Sequence, residues 1–378
     1  MARSFPDGPP AGPAGFDGIH TAPPQALRCP GIPEPTLQTR FPFPADPHGW
    51  YVLDGADALP AGGVQRVLLA GRERILWRTR GGEAVLSDAH CPHLGAHLGY
   101  GGRVDGEALV CPFHGFRFSA DGACLSTPYG QPPPPSACLG RHPLRERNGL
   151  LLAWWHPHGL APSWEVPTHD QAGWTPLQTI SWRLRSHPQE TNENAVDLGH
   201  LSAVHGYEDL VETLPFTPDG PWLTIGYEMR RPTRLAGLSM GRMHTRFRIQ
   251  LYGLGYAHVE ADAPDLGARL RHFVWATPRD DDHITLRIGF QWRLDGAGLP
   301  AMLARPAAHL LRHIVFRQYQ RDVQQDWDIW ERKVYLHPPA LAGGDGPIGR
   351  YRQWCQQFYG PTAPAPSEPV SPDPRPAG

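Results

Sequence analysis

The sequence lacks the features that mark several large classes of protein. Its 35 Lys and Arg residues balance 37 Asp and Glu residues, and no basic run contains interleaved aromatic residues, so we expect no nucleic-acid partner. Apolar runs such as Leu150–Trp155 are far shorter than the roughly 20 residues of a membrane span. The N-terminus lacks the apolar segment of a signal peptide. We therefore expect a cytoplasmic protein without a membrane span.

Cysteine is scarce, with six residues in a chain of 378. Four of them stand alone in the sequence and are interpreted as free thiols: Cys29, Cys124, Cys138 and Cys355. The other two begin the short motifs CPH (91–93) and CPFH (111–114). Two thiolates and two imidazoles at this spacing can hold a 2Fe-2S cluster, in which one iron binds both cysteines and the other binds both histidines. The predicted cluster ligands are Cys91, His93, Cys111 and His114.

A zinc site is the alternative for the same four residues, because zinc also binds two cysteines and two histidines. Zinc fingers group the two cysteines together and then the two histidines, whereas here each motif supplies one of each. This comparison favours the cluster.

Proline is concentrated at both ends of the chain. Twelve prolines fall in the first 48 positions and seven in residues 361–378. So many prolines exclude a helix or a central strand, and too little apolar surface is present to offset the entropy of ordering. We therefore predict disordered tails over residues 1–45 and 361–378.

Between the tails the residue pattern changes once, which predicts two domains. Residues 46–160 contain short alternating or β-branched runs separated by glycines, a pattern that predicts a small all-β domain carrying the cluster loops. Residues 161–360 contain runs with a period of two, which predict one antiparallel sheet with one buried face. These runs cover residues 222–227, 245–251, 270–275 and 283–292.

Two helices are predicted beside this sheet, over about residues 188–205 and 300–334, and the fold class is therefore α+β. The second helix carries an apolar stripe at helical spacing: Tyr319, Val323, Trp327, Trp330 and Val334. Such a stripe predicts that one face of this helix is buried.

The first helix carries the motif ENAVDLGHLSAVH at residues 193–205. Asp197 and His200 share a helical face, but His200 and His205 are five residues apart and diverge on a regular helix. A bend or a helix end is therefore required if both histidines bind one metal ion. A chain that receives electrons at a cluster needs a site to deliver them, and two histidines with one carboxylate form the triad of non-haem Fe(II) that activates O2. The alternative is a pair of ordinary surface or core histidines.

The second helix offers three aspartates as the carboxylate of such a triad. Measured from the centre of the stripe at about 100° per residue, Asp326 lies about 60° away, Asp322 about 100° and Asp328 about 140°. Asp326 is therefore the aspartate that borders the buried face. A structural role, in capping or in pairing with Arg317 or Arg321, is the alternative.

The residues around the cluster motifs resemble Rieske proteins, in CPHLGAHLG (91–99) and CPFHGFRF (111–118). Rieske proteins of respiratory complexes clip these loops with a disulfide, and the matching positions are Ala96 and Phe113 here. The loops therefore resemble the ferredoxin and oxygenase branch, whose cluster works in a reducing compartment.

The rest of the chain resembles the oxygenase component of Rieske non-haem iron oxygenases, whose mononuclear iron motif is similar to ENAVDLGHLSAVH. The segments QDWDIWERK (325–333) and GPIGRYRQWCQQFY (346–359) resemble the 3-ketosteroid 9-alpha-hydroxylase oxygenases and the cholesterol 7-desaturases. The resemblance implies a Rieske domain followed by a larger catalytic domain with a helix-grip-like antiparallel sheet. It also implies two cofactors, a 2Fe-2S cluster and a mononuclear Fe(II), with His200, His205 and Asp326 as the ligands of the latter.

The resemblance further implies a terminal oxygenase. Such an enzyme takes electrons from a ferredoxin or an NAD(P)H-dependent reductase and uses O2 to hydroxylate or desaturate an apolar polycyclic substrate, here a steroid or sterol. The family assembles as homotrimers, in which Asp197 would link His114 of one subunit to His200 of its neighbour. Asn194 is expected near the iron, where it would position water or substrate; a role at the start of a helix is the alternative.

Three other functions stay open for the whole chain. It could act on a tripyrrole or an aromatic acid as an oxygenase or oxidative cyclase. It could be an electron carrier of the Rieske ferredoxin kind, although such a carrier needs only about one hundred residues. It could also be a scaffold without metals.

Overall fold

The structure is a computed structural model, and it describes residues 40–235, 238–294 and 301–360. In these ranges the chain forms eighteen β-strands and five α-helices. The strands build four sheets in which all neighbouring strands are antiparallel.

The first part of the chain forms three small sheets. Its strands are β1 (Gly49–Gly55), β2 (Val64–Leu69), β3 (Arg72–Arg78), β4 (Ala84–Asp88), β5 (Arg103–Asp105), β6 (Ala108–Val110), β7 (Arg117–Phe118), β8 (Cys124–Ser126), β9 (Arg141–His142), β10 (Leu144–Arg147) and β11 (Leu150–Trp155). They pair in the orders β1-β11-β10, β2-β3-β4-β9 and β5-β6-β7-β8. The two cluster motifs lie in the loops between β4 and β5 and between β6 and β7.

The rest of the chain forms one seven-stranded sheet covered by helices. Its strands are β12 (Gln178–Leu184), β13 (Glu208–Asp219), β14 (Trp222–Leu235), β15 (Leu238–Tyr252), β16 (Tyr256–Ala263), β17 (Ala268–Pro278) and β18 (Ile284–Leu294). Its helices are α1 (Pro188–Glu193), α2 (Leu198–Ala203), α3 (Ala301–Gln324), α4 (Trp327–Arg332) and α5 (Ile348–Cys355). The strand order is β12-β18-β17-β16-β15-β14-β13.

The central strands of this large sheet bury both of their faces. On one face, Tyr319 and Val323 of α3 and Tyr351 of α5 pack into the hydrophobic core. On the other face, Trp275 of β17 shares a core cluster with Trp50 of β1. The large sheet is therefore covered by helices on one face and by a small sheet on the other.

Each predicted helix is wrong in one respect, because the structure divides it into two. The helix predicted over about 188–205 is interrupted between α1 and α2, where Asp197 caps α2 by accepting from the backbone N–H of His200 at 2.9 Å. The helix predicted over about 300–334 is interrupted at Gln325 and Asp326, between α3 and α4. Both interruptions fall beside candidate metal ligands.

The predicted N-terminal tail lies outside the described residues as far as residue 39, and the whole predicted C-terminal tail does as well. The prediction is wrong for residues 40–45. Arg40 is buried and donates from Nε to the carbonyl oxygen of Lys333 at 2.8 Å, and the Phe43 ring contacts the Tyr335 ring at 4.8 Å. These contacts offset the entropy lost when this Pro-rich segment becomes ordered.

No helix within the described ranges combines the length and the apolar character that crossing a bilayer requires.

Candidate metal centres and substrate pocket

The two cluster loops have the same backbone pattern. The N–H of Gly95 donates to the carbonyl oxygen of Cys91 at 2.9 Å, and that of Gly115 donates to Cys111 at 3.1 Å. Both glycines have a positive φ, of 74° and 69°, which side chains with a Cβ rarely adopt. Each loop therefore turns back over its own cysteine, and the glycines in the two motifs have a physical reason.

The four predicted cluster ligands come together in the structure. Cys91 and Cys111 are both 2% exposed, and burial followed by the neighbouring Cys111 raises the pKa of Cys91 to about 11. The His93 and His114 rings lie 4.8 Å apart, and Nδ1 of His114 is buried with no hydrogen-bond partner in the described chain. Two buried thiols facing each other, beside an unpartnered imidazole nitrogen, suit iron, which displaces thiol protons on binding.

The second candidate centre is built from two segments far apart in sequence. His200 lies in α2 and His205 just after it, while Asp326 stands at the N-cap of α4. Nε2 of His200 lies 2.9 Å from Oδ1 of Asp326, and Nε2 of His205 lies 3.6 Å from Oδ2. The ligand atoms of all three lie within 4.8 Å of one another. Each carboxylate oxygen thus faces one imidazole.

The electrostatics of this triad suit a divalent cation. Burial alone would raise the pKa of Asp326, but its hydrogen bonds with His200 and His205 hold it below the usual range. Burial would lower the pKa of His205, but the Asp326 carboxylate raises it above its usual value. A buried carboxylate between two imidazoles favours positive charge, and two imidazoles with one carboxylate are a donor set of non-haem Fe(II).

The tautomer of His205 also leaves its Nε2 available. Nδ1 of His205 lies 2.9 Å from Oε1 of Gln325, and an amide oxygen can only accept a hydrogen bond. Nδ1 therefore carries a proton, and Nε2, which faces the Asp326 carboxylate, is the nitrogen left to bind a metal ion. Gln325 orients this histidine in the way that outer partners of metal ligands do, a role that the sequence analysis missed.

The other two candidate aspartates have different partners. Asp322 lies 3.2 Å from the Arg231 guanidinium and accepts from Gln318 Nε2 at 3.0 Å. The side chain of Asp328 is 79% exposed and pairs with Arg332. Of the three candidate aspartates, the structure brings Asp326 alone to the two histidines.

Asn194 and Asp197 both touch His200. Nδ2 of Asn194 lies 3.3 Å from Nε2 of His200, and its Oδ1 accepts from Trp330 Nε1 at 3.4 Å. Oδ1 of Asp197 accepts from the backbone N–H of His200 at 2.9 Å, while Nδ1 of His200 is buried without a partner in the described chain. The predicted link through Asp197 to another subunit stays a prediction.

A buried ion network fixes α1, the helix that precedes the two histidines of this centre. The sequence analysis did not find this network. Glu190 is fully buried, and its Oε2 lies 2.9 Å from Nζ of Lys333. Glu193 lies 3.3 Å from the same ammonium and 2.6 Å from Nε of Arg352. These pairs tie α1 to the end of α4 and to α5. They join residues more than 130 positions apart, and no local pattern in the sequence signals such a pairing.

The mononuclear centre opens into a pocket between the large sheet and the helices. Its volume is about 900 Å³ when the solvent at its mouth is included. The helix side carries the three candidate iron ligands and Asn194. The sheet side is formed by residues of β14, β15, β16 and β17: Arg231, Phe247, Ile249, Ala257, Val259, His272 and Val274.

A second cluster of metal-binding residue types contains Glu73, His90 and His97, with ligand atoms within 4.8 Å. Nδ1 of His97 accepts from the N–H of Gly99 at 3.0 Å, so the ring proton is on Nε2, which faces Glu73 at 3.3 Å. With the proton on Nε2, His97 has no lone pair on that nitrogen for a metal ion. We interpret the cluster as a close contact between His97 and Glu73 beside the exposed His90.

Two sequence profiles match the chain. The profile of the Rieske [2Fe-2S] domain matches residues 49–143, and that of the 3-Ketosteroid 9alpha-hydroxylase C-terminal domain matches residues 153–359. The chain is 30% identical to cholesterol 7-desaturase nvd of Xenopus laevis over 347 residues, which is 85% of this chain and 73% of that protein. It is 26% identical to the oxygenase component of 3-ketosteroid-9-alpha-monooxygenase of Rhodococcus rhodochrous, over 82% of this chain and 80% of that protein.

Solved structures with the same fold include NdmA and dicamba monooxygenase. NdmA of Pseudomonas putida CBB5, a QL mutant with caffeine, is 20% identical with a TM-score of 0.59 and covers 82% of this chain and 89% of its own. Dicamba monooxygenase bound to dicamba is 18% identical with a TM-score of 0.59, over 82% of this chain and 96% of its own. The predicted fold class is confirmed, and the matches agree with both predicted cofactors, a 2Fe-2S cluster and a mononuclear iron.

Proposed function

Because this chain belongs to the Rieske oxygenases with a 3-ketosteroid 9alpha-hydroxylase C-terminal domain, we propose that it hydroxylates or desaturates an uncharged steroid or sterol. Membership makes it an oxidoreductase, in a family that uses O2 and electrons from a reductase or ferredoxin. The names of its relatives and the character of its pocket support the steroid or sterol as substrate.

This proposal rests on the mostly apolar pocket beside the candidate iron site, in which the positive charge of Arg231 is paired with the negative charge of Asp322. Arg231 is the one Lys or Arg among the described lining residues, and its guanidinium lies 3.2 Å from the Asp322 carboxylate. A neutral polycycle can bind without separating this pair. An aromatic acid would compete with Asp322 for the guanidinium, and separating a largely buried ion pair is costly. The charges therefore favour a neutral substrate over an aromatic acid.

Each predicted ligand has a role in this proposal. His200, His205 and Asp326 would hold the mononuclear iron, and the cluster would be held by Cys91, His93, Cys111 and His114. Together the bound metals would supply the reductive activation of O2 that breaking an unactivated C–H bond requires. Asn194, 3.3 Å from Nε2 of His200, would position water or substrate at the open side of the site.

We also propose that the chain works as a homotrimer, with Asp197 linking His114 of one subunit to His200 of the next. The buried and unpartnered Nδ1 of His200 supports this proposal. So do the tips of the cluster loops, where Leu94 is 66% and Phe113 62% exposed. Large apolar side chains exposed around a redox centre are typical of a surface that docks against another protein.

The test uses the metal-loaded chain with a surrogate reductase, NADH and O2. A mixed panel of sterols, 3-ketosteroids, tripyrroles and methoxybenzoates is incubated, and products are sought that gain one oxygen or lose two hydrogens. We expect turnover of a sterol or a 3-ketosteroid. Turnover of tripyrroles or methoxybenzoates alone would contradict the proposed substrate.

Iron content separates the oxygenase from the other classes of function. The oxygenase should contain about three irons per chain, an electron carrier about two and a scaffold none. We expect His200→Ala to lower the content from about three to about two. A content of two that His200→Ala leaves unchanged would favour the electron carrier.

A further inference from the structure

Two polar side chains interrupt the apolar sheet side of the pocket, Arg231 of β14 and His272 of β17. A row of paired residues crosses five strands, from β14 to β18, and consists of Ile225, Ile249, Val259, His272 and Phe290. Residues in such a row point to the same face of a sheet. Four of them are apolar and His272 is polar. Arg231, the other polar residue on this side of the pocket, is already paired with Asp322.

His272 is uncharged and has hydrogen-bonding capacity to spare. Its ring contacts the rings of Tyr319 at 4.5 Å and Phe290 at 5.3 Å, and its Nε2 is buried with no hydrogen-bond partner among the described residues. Burial, and then the charge of Arg231, lowers the pKa of His272 to about 3. The ring is therefore neutral near neutral pH, with one donor and one acceptor nitrogen.

Four other polar side chains of the pocket are already engaged. Three of them each donate to a backbone carbonyl oxygen: Thr191 Oγ1 at 3.0 Å, Asn192 Nδ2 at 2.8 Å and the Tyr319 hydroxyl at 3.2 Å. The Arg231 guanidinium, although its Nε is unpartnered, is paired with Asp322. A ligand that reaches the sheet side thus meets one neutral polar side chain, His272, whose Nε2 has no partner among the described residues.

We propose that His272 determines specificity by hydrogen-bonding the oxygen of an otherwise apolar polycyclic substrate, a hydroxyl or a ketone. This inference rests on the proposed function. The iron ligands lie on the helix side of the pocket and His272 on the sheet side, so a substrate held by its oxygen at His272 presents a fixed part of its skeleton to the iron. Both the choice of substrate and the position of oxidation follow from this contact.

The test compares two substrates that differ only in that oxygen. The metal-loaded chain is given a turned-over steroid and its analogue without the oxygen, and kcat/KM is measured for each. His272→Leu keeps a similar size but removes both nitrogens, so we expect kcat/KM for the oxygenated steroid to fall about 10- to 100-fold, with little change for the analogue. His272→Gln, which keeps a donor and an acceptor, should recover part of the loss, and His272→Leu should broaden the product from one position to several.

Ile249→Val is the matched control, because it removes one methyl group from the same row without changing polarity. It should alter kcat/KM for both substrates alike and leave their ratio at the wild-type value. Iron content is measured in every variant, so that a loss of metal is not mistaken for a loss of recognition.

The outcomes separate this inference from the function on which it rests. If the wild-type chain carries about three irons but oxidises no steroid, the proposed function and the role of His272 both fall. If it oxidises steroids and His272→Leu keeps the wild-type ratio between the two substrates, the proposed function stands and His272 has no part in recognition.

Discussion

The two candidate metal centres are built in opposite ways. The cluster ligands lie in two short loops of the same backbone pattern, and each loop is closed by a glycine in its own motif. The triad of His200, His205 and Asp326 joins a short helix to an N-cap 126 residues away. The first centre is local and the second depends on the whole catalytic fold. Changes far from the metal should therefore affect the second centre much more than the first.

The largest effect should come from Asp326→Asn. The variant replaces an anionic ligand that faces both histidines with a neutral amide, so we expect loss of the mononuclear iron and a fall in turnover of at least about 10³-fold, by analogy with removal of an essential catalytic group. The cluster should keep its visible absorption and circular dichroism, and iron analysis should give about two irons per chain.

Asp328→Asn is the matched control, two residues away in the sequence but 79% exposed. It should bind about three irons and turn over at the wild-type rate. Equal losses in the two variants would show that the aspartates act through the helix and not through the metal.

Asp197→Asn should slow electron transfer between the two centres while each centre keeps its metal. Asparagine caps a helix about as well as aspartate, so α2 and its bond to the backbone of His200 should persist. If the carboxylate links two imidazoles across subunits, its loss should slow electron transfer from cluster to iron about 100-fold or more. Stopped-flow oxidation of the reduced cluster in the presence of substrate and O2 measures that rate.

Metal content provides the check on Asp197→Asn. About three irons per chain together with a slow transfer would support the link between subunits. Transfer at the wild-type rate would remove Asp197 from the electron route and leave it as a helix cap.

Glu193→Gln tests how far the iron site depends on the fold around it. The change removes the carboxylate that pairs with Arg352 and leaves Lys333 with Glu190 alone, and breaking a buried ion pair costs about 3–5 kcal/mol. At roughly 2 °C or more per kcal/mol, the melting temperature of the metal-loaded protein should fall by at least about 6 °C. Iron should be lost from the mononuclear site before the cluster is lost.

Glu208→Gln is the control for this network. Glu208 pairs with Arg242, but both side chains are about half exposed, and such pairs contribute about 0–1 kcal/mol. Its melting temperature should stay within about 2 °C of the wild type. A similar fall for both variants would contradict the structural role of the buried network.

The difference between the centres also decides what the sequence could reveal. The cluster ligands follow from spacing within two motifs, because the loops that carry them are local. For the second centre, the divergence of His200 and His205 on a regular helix correctly indicated a helix end. The choice of Asp326 came from a helical-face argument, and the helix on which it rested is interrupted at that residue. The family resemblance pointed to the same residue.

Long-range features were missed for a physical reason. The period-two pattern predicted four strands of the large sheet but not β12, β13 or β16. β13 is exposed along most of both faces and does not alternate between apolar and polar residues. β12 and β16 do alternate, through Ile180 and Trp182 in β12 and Val259 and Ala261 in β16, so the period-two pattern could have found them. The pairing of Glu190 and Glu193 with Lys333 and Arg352 is set by the tertiary fold and has no local signal.

The smallest effect, and the one that tests whether the cluster centre is local, should come from its glycines. Gly95→Ala and Gly115→Ala would each place a Cβ at a positive φ, where no neighbouring atom lies within 4 Å, so the cost is backbone strain alone, about 1–2 kcal/mol. We expect both variants to lose the cluster faster on warming, to a similar degree, while the mononuclear iron is retained. Gly343→Ala, with open space and no positive φ, should behave as the wild type. If one glycine variant lost its cluster far faster than the other, the two loops would not be equivalent, and their shared hydrogen-bond pattern would not explain how the cluster is held.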